Sequence, residues 1–280
     1  MSKNCGYSGR NLSLFKTFNC ATHYSEIYTP QDAINAFDVA EKLGIRAISL
    51  GEGSNVFFKN KNVKSYILKN ALPEEITYLG EDSFYVSSST KLIKLLRAMK
   101  DDSRDCFYYL ASAPCQIGGA IVMNAGSGPR ENLSISDYIE SVKFVHDGKV
   151  NVIQKSDSDF SYRCSKFQKI ENCFILGAIF KFSKTKIIGN PISERIEWAK
   201  LNQDLSAPNC GSLCSTYNAS ILKFVRFLFK PFPAGLSAKK LNWAFNKSPN
   251  PIYLKAMLFC ITALHKIFRK KLKFELKIYS

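Results

Sequence analysis

The stretch LGEGSNVFF at residues 50–58 places a glycine-rich turn between two short apolar runs. The runs Ala47–Leu50 and Val56–Phe58 have the composition of buried β-strands. A Rossmann fingerprint or a P-loop needs a helix directly after its glycines, because the helix N-terminus faces the phosphates. Here a strand follows, so the order excludes both folds. An anion at this turn has to be held by the N–H groups of the turn itself, and a tight hairpin-like turn explains the two glycines equally well.

The segment before this turn predicts a helix over residues 30–43. Thr29 is suited to cap it, Pro30 suits the first helical position, and Asp32 completes a capping box. Apolar residues recur at helical spacing until Gly44, which ends the pattern.

Further along, residues 90–100 predict an amphipathic helix with Thr90 as its cap, and Asp147-Gly148 predicts the turn of a hairpin. The segment 111–129 is rich in glycine and alanine, which indicates backbone that approaches a ligand closely. The sequence pattern changes after residue 183. A helix, a loop, two basic and apolar helical stretches and a terminal strand over 272–279 are expected there.

The formal net charge of +16 favours anionic partners such as nucleotides or sugar diphosphates. Basic residues interleave with aromatic ones in the segments 221–232 and 265–274. A solvated helix face explains this pattern better than a dedicated patch for nucleic acid or lipid. We expect no sequence-specific nucleic-acid partner, no membrane span, a weak association with acidic surfaces, and a monomer.

Nine cysteines without paired CxxC spacing and three scattered histidines predict no metal site. The first twenty residues contain no apolar core long enough for a signal peptide. We therefore expect a cytoplasmic protein.

Five segments in order resemble the motifs of the UDP-N-acetylenolpyruvoylglucosamine reductase (MurB) family. They are LGEGSNVFF (50–58), APCQIGGAIVMNAG (113–126), FSYRCSKF (160–167), QDLSAPNCGS (203–212) and FRKKLKFEL (268–276). The resemblance runs over nearly the whole chain.

The resemblance implies an α+β fold: an FAD-binding domain of the PCMH/VAO type made of two α+β subdomains, plus a smaller, shortened α+β substrate-binding domain. The expected bounds are 1–185 for the FAD-binding domain, with subdomains of about 1–70 and 71–185, and 186–280 for the substrate-binding domain.

The implied activity is an NADPH- and FAD-dependent reduction of UDP-N-acetylenolpyruvoylglucosamine to UDP-N-acetylmuramate, a peptidoglycan precursor. Two alternatives stay open. One is a divergent FAD oxidoreductase that acts on another sugar nucleotide. The other is a catalytically inactive interaction protein with the flavin-binding fold.

The resemblance also implies roles for individual residues. Ser212 matches the family's proton donor, Glu275 the glutamate that assists it, and Arg163 the arginine that binds the substrate carboxylate and the developing enolate. Tyr162 and Asn209 complete the implied substrate contacts. The implied FAD-binding residues are Gly51, Glu52, Gly53, Ser54 and Asn55 in the first glycine segment, and Pro114, Ile117, Gly118, Gly119, Ala120, Asn124 and Gly126 in the second.

Besides an early Thr-Phe…Gly-Gly signature that survives only as Thr17-Phe18, the chain departs from the family pattern at three places. Cys115 stands where a glycine is usual, and residues 214–217 replace a Phe-Lys-Asn-Pro continuation after Ser212. The glycine-rich substrate loop expected between 236 and 242 is almost absent. The departures concern the substrate side more than the cofactor side, since the second and third lie in the predicted substrate-binding domain.

Overall fold

The computed structural model describes residues 6–127 and 133–280. The α-helices in these ranges are α1 (Pro30–Lys42), α2 (Leu92–Asp101), α3 (Ile117–Val122), α4 (Pro191–Asn202), α5 (Ala219–Leu228) and α6 (Ile252–Ile267). Short 3-10 helices cover Tyr108–Leu110, Ile135–Tyr138, Lys155–Ser158 and Lys166–Gln168. The first nine strands are β1 (Tyr7–Gly9), β2 (Asn19–Ala21), β3 (Tyr24–Ile27), β4 (Ala47–Leu50), β5 (Val56–Phe58), β6 (Asn62–Val63), β7 (Tyr66–Asn70), β8 (Ile76–Gly80) and β9 (Ser83–Ser87). The remaining strands are β10 (Ile139–His146), β11 (Lys149–Gln154), β12 (Phe174–Lys181), β13 (Asn209–Ser212), β14 (Cys214–Thr216), β15 (Ala234–Leu236), β16 (Trp243–Asn246), β17 (Lys273–Phe274) and β18 (Lys277–Tyr279).

Contacts divide the chain into two compact units that interleave along the sequence. Unit 1 comprises Met1–His23, Glu52–Ser65 and Ala199–Ser280, and unit 2 comprises Tyr24–Gly51 and Tyr66–Trp198. The predicted domain boundary at 185/186 stays a prediction.

Unit 2 contains a five-stranded antiparallel sheet in the order β11-β10-β12-β9-β8 and a three-stranded parallel sheet in the order β3-β7-β4. The apolar faces of α2 and α3 pack with the larger sheet in one core, in which Leu95, Ile117 and Phe180 are fully buried. Helix α1 packs with the parallel strands through Ala33 and Phe37. The second glycine segment, 113–126, lies in this unit.

Unit 1 contains an antiparallel sheet in the order β13-β16-β15, on which α5 and α6 pack. The buried faces of these helices, including Leu222, Val225, Met257 and Ile261, form the core of this unit. Strand β17 pairs with β14, and β18 runs parallel to β5 with Lys277 opposite Val56. The chain end is therefore attached to the strand that follows the first glycine turn.

Local sequence signals predicted several elements correctly. Strands β4 and β5 have the predicted bounds, and α1 begins at Pro30 with the Thr29–Asp32 capping box. The hairpin turns at Asp147 and Gly148, both with positive φ, as a primed turn requires. The predicted α+β fold class is confirmed.

Two local predictions were wrong. Thr90 does not cap α2, because its hydroxyl hydrogen-bonds with Glu75 and Ser87, and α2 begins two residues later. The terminal strand predicted over 272–279 is two short strands with different partners. The interruption falls at Glu275 and Leu276.

Candidate functional site

Ser212 is the last residue of β13 and follows a bulge in that strand. Asn209 pairs with Phe245 and Ser212 with Trp243, so two residues of β13 stand opposite one residue of β16. Gly211 has a φ of 73°, which a glycine adopts without the penalty that a side chain brings. Bulges redirect the side chain that follows them. The glycine before Ser212 thus sets the direction of the serine.

Asn242 holds the backbone directly after Ser212. Its side chain accepts a hydrogen bond from the Cys214 N–H at 2.9 Å and donates one to the Cys214 carbonyl at 2.6 Å. Its own carbonyl accepts from the Leu213 N–H at 2.8 Å. Three hydrogen bonds from one residue therefore fix the Leu213–Cys214 segment. The sequence interpretation missed Asn242, because no local pattern marks an asparagine whose partners lie 28 residues away.

Glu275 lies against the same segment from the chain end. Its N–H donates to the Leu213 carbonyl at 3.0 Å. Burial raises the pKa of the Cys214 thiol to about 12, and the charge of Glu275 adds to that increase, so the Glu275 carboxylate is close to Cys214. The structure thus places the backbone of Glu275 against the residue that follows Ser212. The roles in proton transfer that the resemblance assigns to Ser212 and Glu275 stay predictions.

The first glycine turn reaches this cluster through Asn55. The Asn55 side-chain amide donates to the Glu275 carbonyl at 3.0 Å, and the Asn55 carbonyl accepts from the Lys277 N–H at 3.0 Å. Asn55 therefore uses one of its two side-chain donors to hold the chain end. Glu52 and Ser54 are partly exposed in the same turn.

Cys210 connects the turn to β13. Its Sγ lies 3.6 Å from the carbonyls of Gly53 and Val56 and 3.6 Å from the Ser13 hydroxyl. Burial raises the pKa of its thiol to about 11. Both cysteines that flank Ser212 are thus buried, protonated packing residues.

Asn209 stabilises the loop in front of β13. Its side chain donates to the carbonyls of Asp204 and Ala207 and accepts from the Gly211 N–H. Both N–H groups and the oxygen of the Asn209 side-chain amide therefore bond within its own loop. A substrate contact by Asn209 stays a prediction.

In unit 2, Tyr162 and Arg163 form the tip of a tight turn. Ser161 and Cys164 exchange two backbone hydrogen bonds of 3.0 Å, and Arg163 has a φ of 54°. The Arg163 guanidinium lies 5.7 Å from the centre of the Tyr162 ring. A non-glycine residue with positive φ is unfavourable, and such residues cluster at functional sites.

The second glycine segment supports this turn. The side chain of Asn124, itself with a φ of 41°, donates to the Ser161 carbonyl at 2.9 Å, and the hydroxyl of Ser165 donates to the Val122 carbonyl at 2.7 Å. Asn124 is almost completely buried. The structure therefore joins the predicted cofactor segment and the Tyr-Arg turn in unit 2.

Several predicted cofactor residues have structural roles that need no ligand. A Cβ on Gly53 would lie 2.2 Å from the Leu12 carbonyl oxygen, and one on Gly126 would lie 2.1 Å from that of Leu133. The N–H groups of Ile117 and Gly118 donate to the carbonyls of Thr90 and Ser88, and Ile117 and Ala120 belong to the core. Gly51 is partly exposed in the first segment, and Pro114 precedes Cys115, whose carbonyl accepts from the Leu92 N–H.

Two observations in the second segment fit the flavin dinucleotide implied by the resemblance. The Gln116 Oε1 atom is buried and has no hydrogen-bond partner in the described part of the chain. A Cβ built on Gly119 meets nothing within 4 Å, so the backbone is open there. An unpaired acceptor and open backbone in the same segment suit a ligand with N–H groups, such as an isoalloxazine ring.

In residues 6–127 and 133–280, no group of three or more His, Cys, Asp or Glu side chains is arranged to hold a metal ion. No helix in these residues is long and apolar enough to cross a bilayer.

Known proteins resemble this chain in sequence and in structure. The UDP-N-acetylenolpyruvoylglucosamine reductase of Chlamydia felis is 26% identical over 206 residues, which are 72% of this chain and 68% of that protein. The enzyme of the same name from Aquifex aeolicus is 29% identical over 207 residues, again 72% and 68%. The crystal structure of UDP-N-acetylenolpyruvylglucosamine reductase (MurB) from Thermus caldophilus matches with a TM-score of 0.74 at 17% identity, and the match covers 96% of each chain. No family model matches the chain.

Substitution of Asn242 by alanine tests the support of the serine segment. We expect a loss of about 1–3 kcal/mol in unfolding free energy, because the buried N–H and carbonyl of Cys214 lose their side-chain partner. Urea denaturation of Asn242→Ala measures this loss. Asn35→Ala on the exposed face of α1 is the control, with an expected change within about 0.5 kcal/mol. Equal effects of the two substitutions would contradict the role of Asn242.

The backbone at Arg163 is tested by comparing two substitutions that both remove the side chain. We expect Arg163→Gly to be more stable to urea than Arg163→Ala by about 1 kcal/mol, because only glycine adopts this φ without penalty. Lys169, with a φ of −101°, is the control position. There the alanine variant should be the more stable one, and the same sign at both positions would refute the prediction.

Proposed function

Because the chain is a divergent member of the UDP-N-acetylenolpyruvoylglucosamine reductase (MurB) family, we propose that it is an FAD-dependent reductase that uses NADPH to convert UDP-N-acetylenolpyruvoylglucosamine to UDP-N-acetylmuramate. This reaction makes a precursor of peptidoglycan. The proposal places the enzyme in the cytoplasm, where nucleotide sugars and NADPH are available.

The observation that carries the proposal is a set of hydrogen bonds that joins three segments of the chain at the Leu213 backbone in unit 1. Glu275 donates to the Leu213 carbonyl, Asn55 donates to the Glu275 carbonyl, and Ser212 immediately precedes Leu213. These residues come from three segments that the resemblance assigns separately to cofactor binding and to proton transfer. Their contact places the serine segment, the chain end and the first glycine turn next to one another in unit 1.

FAD, held by residues of the two glycine segments, would supply the hydride chemistry between NADPH and the enolpyruvyl double bond. Reduction of that double bond also needs one proton at the other carbon. We assign this proton to the Ser212 hydroxyl, which the bulge at Gly211 directs. A serine hydroxyl is a weak acid, so its transfer depends on fixed geometry and on neighbours that stabilise charge. Glu275 is the neighbouring group in this role.

Arg163 binds the substrate carboxylate and the negative charge that develops as the hydride arrives. A guanidinium held in advance stabilises such charge more effectively than one that must reorganise. The turn tied to Asn124 and Val122 provides that fixed position. Tyr162 lies beside the guanidinium and completes the substrate contacts.

The proposed cofactor contacts fall in both glycine segments. In the first, the N–H groups of Gly51 to Asn55 would hold the flavin diphosphate. In the second, the open backbone at Gly119 and the unpaired Gln116 carbonyl receive the ligand.

Flavin content and two half-reactions test the function. We expect the purified full-length protein to carry a yellow chromophore, which NADPH bleaches without oxygen and which UDP-N-acetylenolpyruvoylglucosamine restores. Absorbance spectra follow each step. Bleaching without restoration would replace the proposed substrate by another sugar nucleotide. A colourless protein whose melting temperature does not respond to FAD would contradict both enzymatic functions and favour an inactive interaction protein.

Ser212→Ala should separate the two half-reactions. We expect reduction by NADPH at nearly the wild-type rate and reoxidation by substrate slower by about 10²–10⁴-fold, because only the second step needs the proton. Anaerobic stopped-flow absorbance measures both rates. Ser215→Ala is the control, since Ser215 lies three residues away and its hydroxyl donates to the Lys273 carbonyl. An equal decrease in both rates would remove Ser212 from proton transfer.

A further inference from the structure

Helices α5 and α6 form the outer layer of unit 1. They pack on each other and on β15, and their buried faces complete the apolar core of the unit. Each helix therefore has an opposite face that points away from this core. These outer faces, with the residues just after each helix, are called the outer helical surface below.

The outer helical surface exposes large apolar side chains. Phe227 and Phe259 are 76% and 74% exposed, and every exposed phenylalanine in residues 6–127 and 133–280 belongs to this surface. The exposed apolar residues of the surface are Phe224, Phe227, Leu228, Phe232, Ile252, Phe259, Ile267 and Phe268. Isolated exposed apolar residues are common, but a concentrated set marks an interaction site.

The same part of the chain contains no acidic residue. Between Asp204 and Glu275 there are twelve lysines and arginines and no aspartate or glutamate. On α5, Lys223 is exposed directly beside Phe224, and on α6 Lys255 and Lys266 are exposed along the stripe that contains Phe259. Basic and apolar side chains therefore alternate on one surface, and no carboxylate within this segment offsets the charge.

This combination matches the chemistry of an anionic bilayer surface. Lysine and arginine are attracted to acidic headgroups, while phenylalanine, leucine and isoleucine gain by entering the boundary between headgroups and acyl chains. A folded protein partner would have to supply acidic and apolar groups in a matching pattern. Single-stranded nucleic acid stacks on aromatic rings but gains nothing comparable from Leu228, Ile252 and Ile267. The aliphatic members of the set favour the bilayer.

We propose that the outer helical surface of α5 and α6 binds peripherally to bilayers that contain anionic lipids. The helices lie parallel to the bilayer plane, with the phenylalanines in the interface and the lysines at the headgroups. The proposal is independent of the reductase function, because none of its residues belongs to the proposed catalytic or cofactor-binding set.

Vesicle co-sedimentation of the full-length protein tests the proposal. The probes are vesicles of phosphatidylcholine alone and vesicles with about one third phosphatidylserine, the typical anionic lipid of such assays. We expect at least about tenfold stronger binding to the anionic vesicles and weaker binding at about 0.5 M salt, where charges are screened within a few ångströms. Equal binding to both vesicles would overturn the proposal.

Matched variants separate the apolar contribution from charge. The double variant Phe227→Ser/Phe259→Ser removes two of the most exposed phenylalanines and should weaken binding by about tenfold or more. Ile188→Ser/Val152→Ser removes two exposed apolar residues of unit 2 and should leave binding unchanged. If the phenylalanine variant binds anionic vesicles as the wild type does, the surface recognises charge alone and the proposal fails.

A second pair controls for net charge. Lys223→Gln/Lys266→Gln and Lys149→Gln/Lys186→Gln each remove two positive charges from exposed lysines, but only the first pair lies on the outer helical surface. We expect weaker vesicle binding for the first pair alone. All variants should keep circular dichroism and the flavin half-reactions of the wild type. Competition by single-stranded RNA that displaces wild type and phenylalanine variant alike would identify a polyanion site instead and overturn the proposal.

Discussion

A single carbonyl oxygen, that of Leu213, accepts the N–H groups of both Glu275 and Leu276, at 3.0 and 3.3 Å. This pair of hydrogen bonds attaches the chain end to the residue after Ser212. Strand β18 then continues beside β5, next to the first glycine turn. Because the predicted terminal strand is interrupted at Glu275, the chain end pairs first with the segment after Ser212 and then with β5. Asn242 fixes the Leu213 side of this contact, and Asn55 fixes the Glu275 side.

The sequence predicted those parts of the fold whose causes are local. The capping box at Thr29 and Asp32, the turn at Asp147 and Gly148, and the strands on either side of GEGSN each depend on neighbouring residues. The prediction for Thr90 is wrong because a hydroxyl can bond with a distant part of the chain, here the Glu75 carbonyl, as readily as with the helix that follows it. Asn242 could not be found this way, since its role exists only once β13 and β16 are paired.

The roles of the glycines also depend on contacts that are distant in sequence. The composition of the second glycine segment indicates backbone that approaches a ligand, whereas the first segment is explained equally well by a tight turn. At Gly53 and Gly126 the close neighbour is the backbone of this chain itself. Composition alone does not distinguish the two kinds of approach, because both need the absence of a Cβ. Gly119 differs from its neighbours in having open space on that side. Of the cofactor residues that the resemblance implies, Gly53 and Gly126 are needed for the packing of the chain itself, whereas Gly119 has open space beside it.

The stretch between Asp204 and Glu275, with its lysines and arginines and no carboxylates, has a consequence for the fold of unit 1. Like charges that surround one helical layer repel one another, and no acidic side chain within the stretch compensates them. Dissolved salt shortens the range of that repulsion. Ionic strength therefore acts on this layer in two opposite directions, relieving its internal repulsion while weakening its attraction to any acidic surface. The lysines and arginines of the helical layer therefore give its folding and its proposed binding opposite dependences on salt.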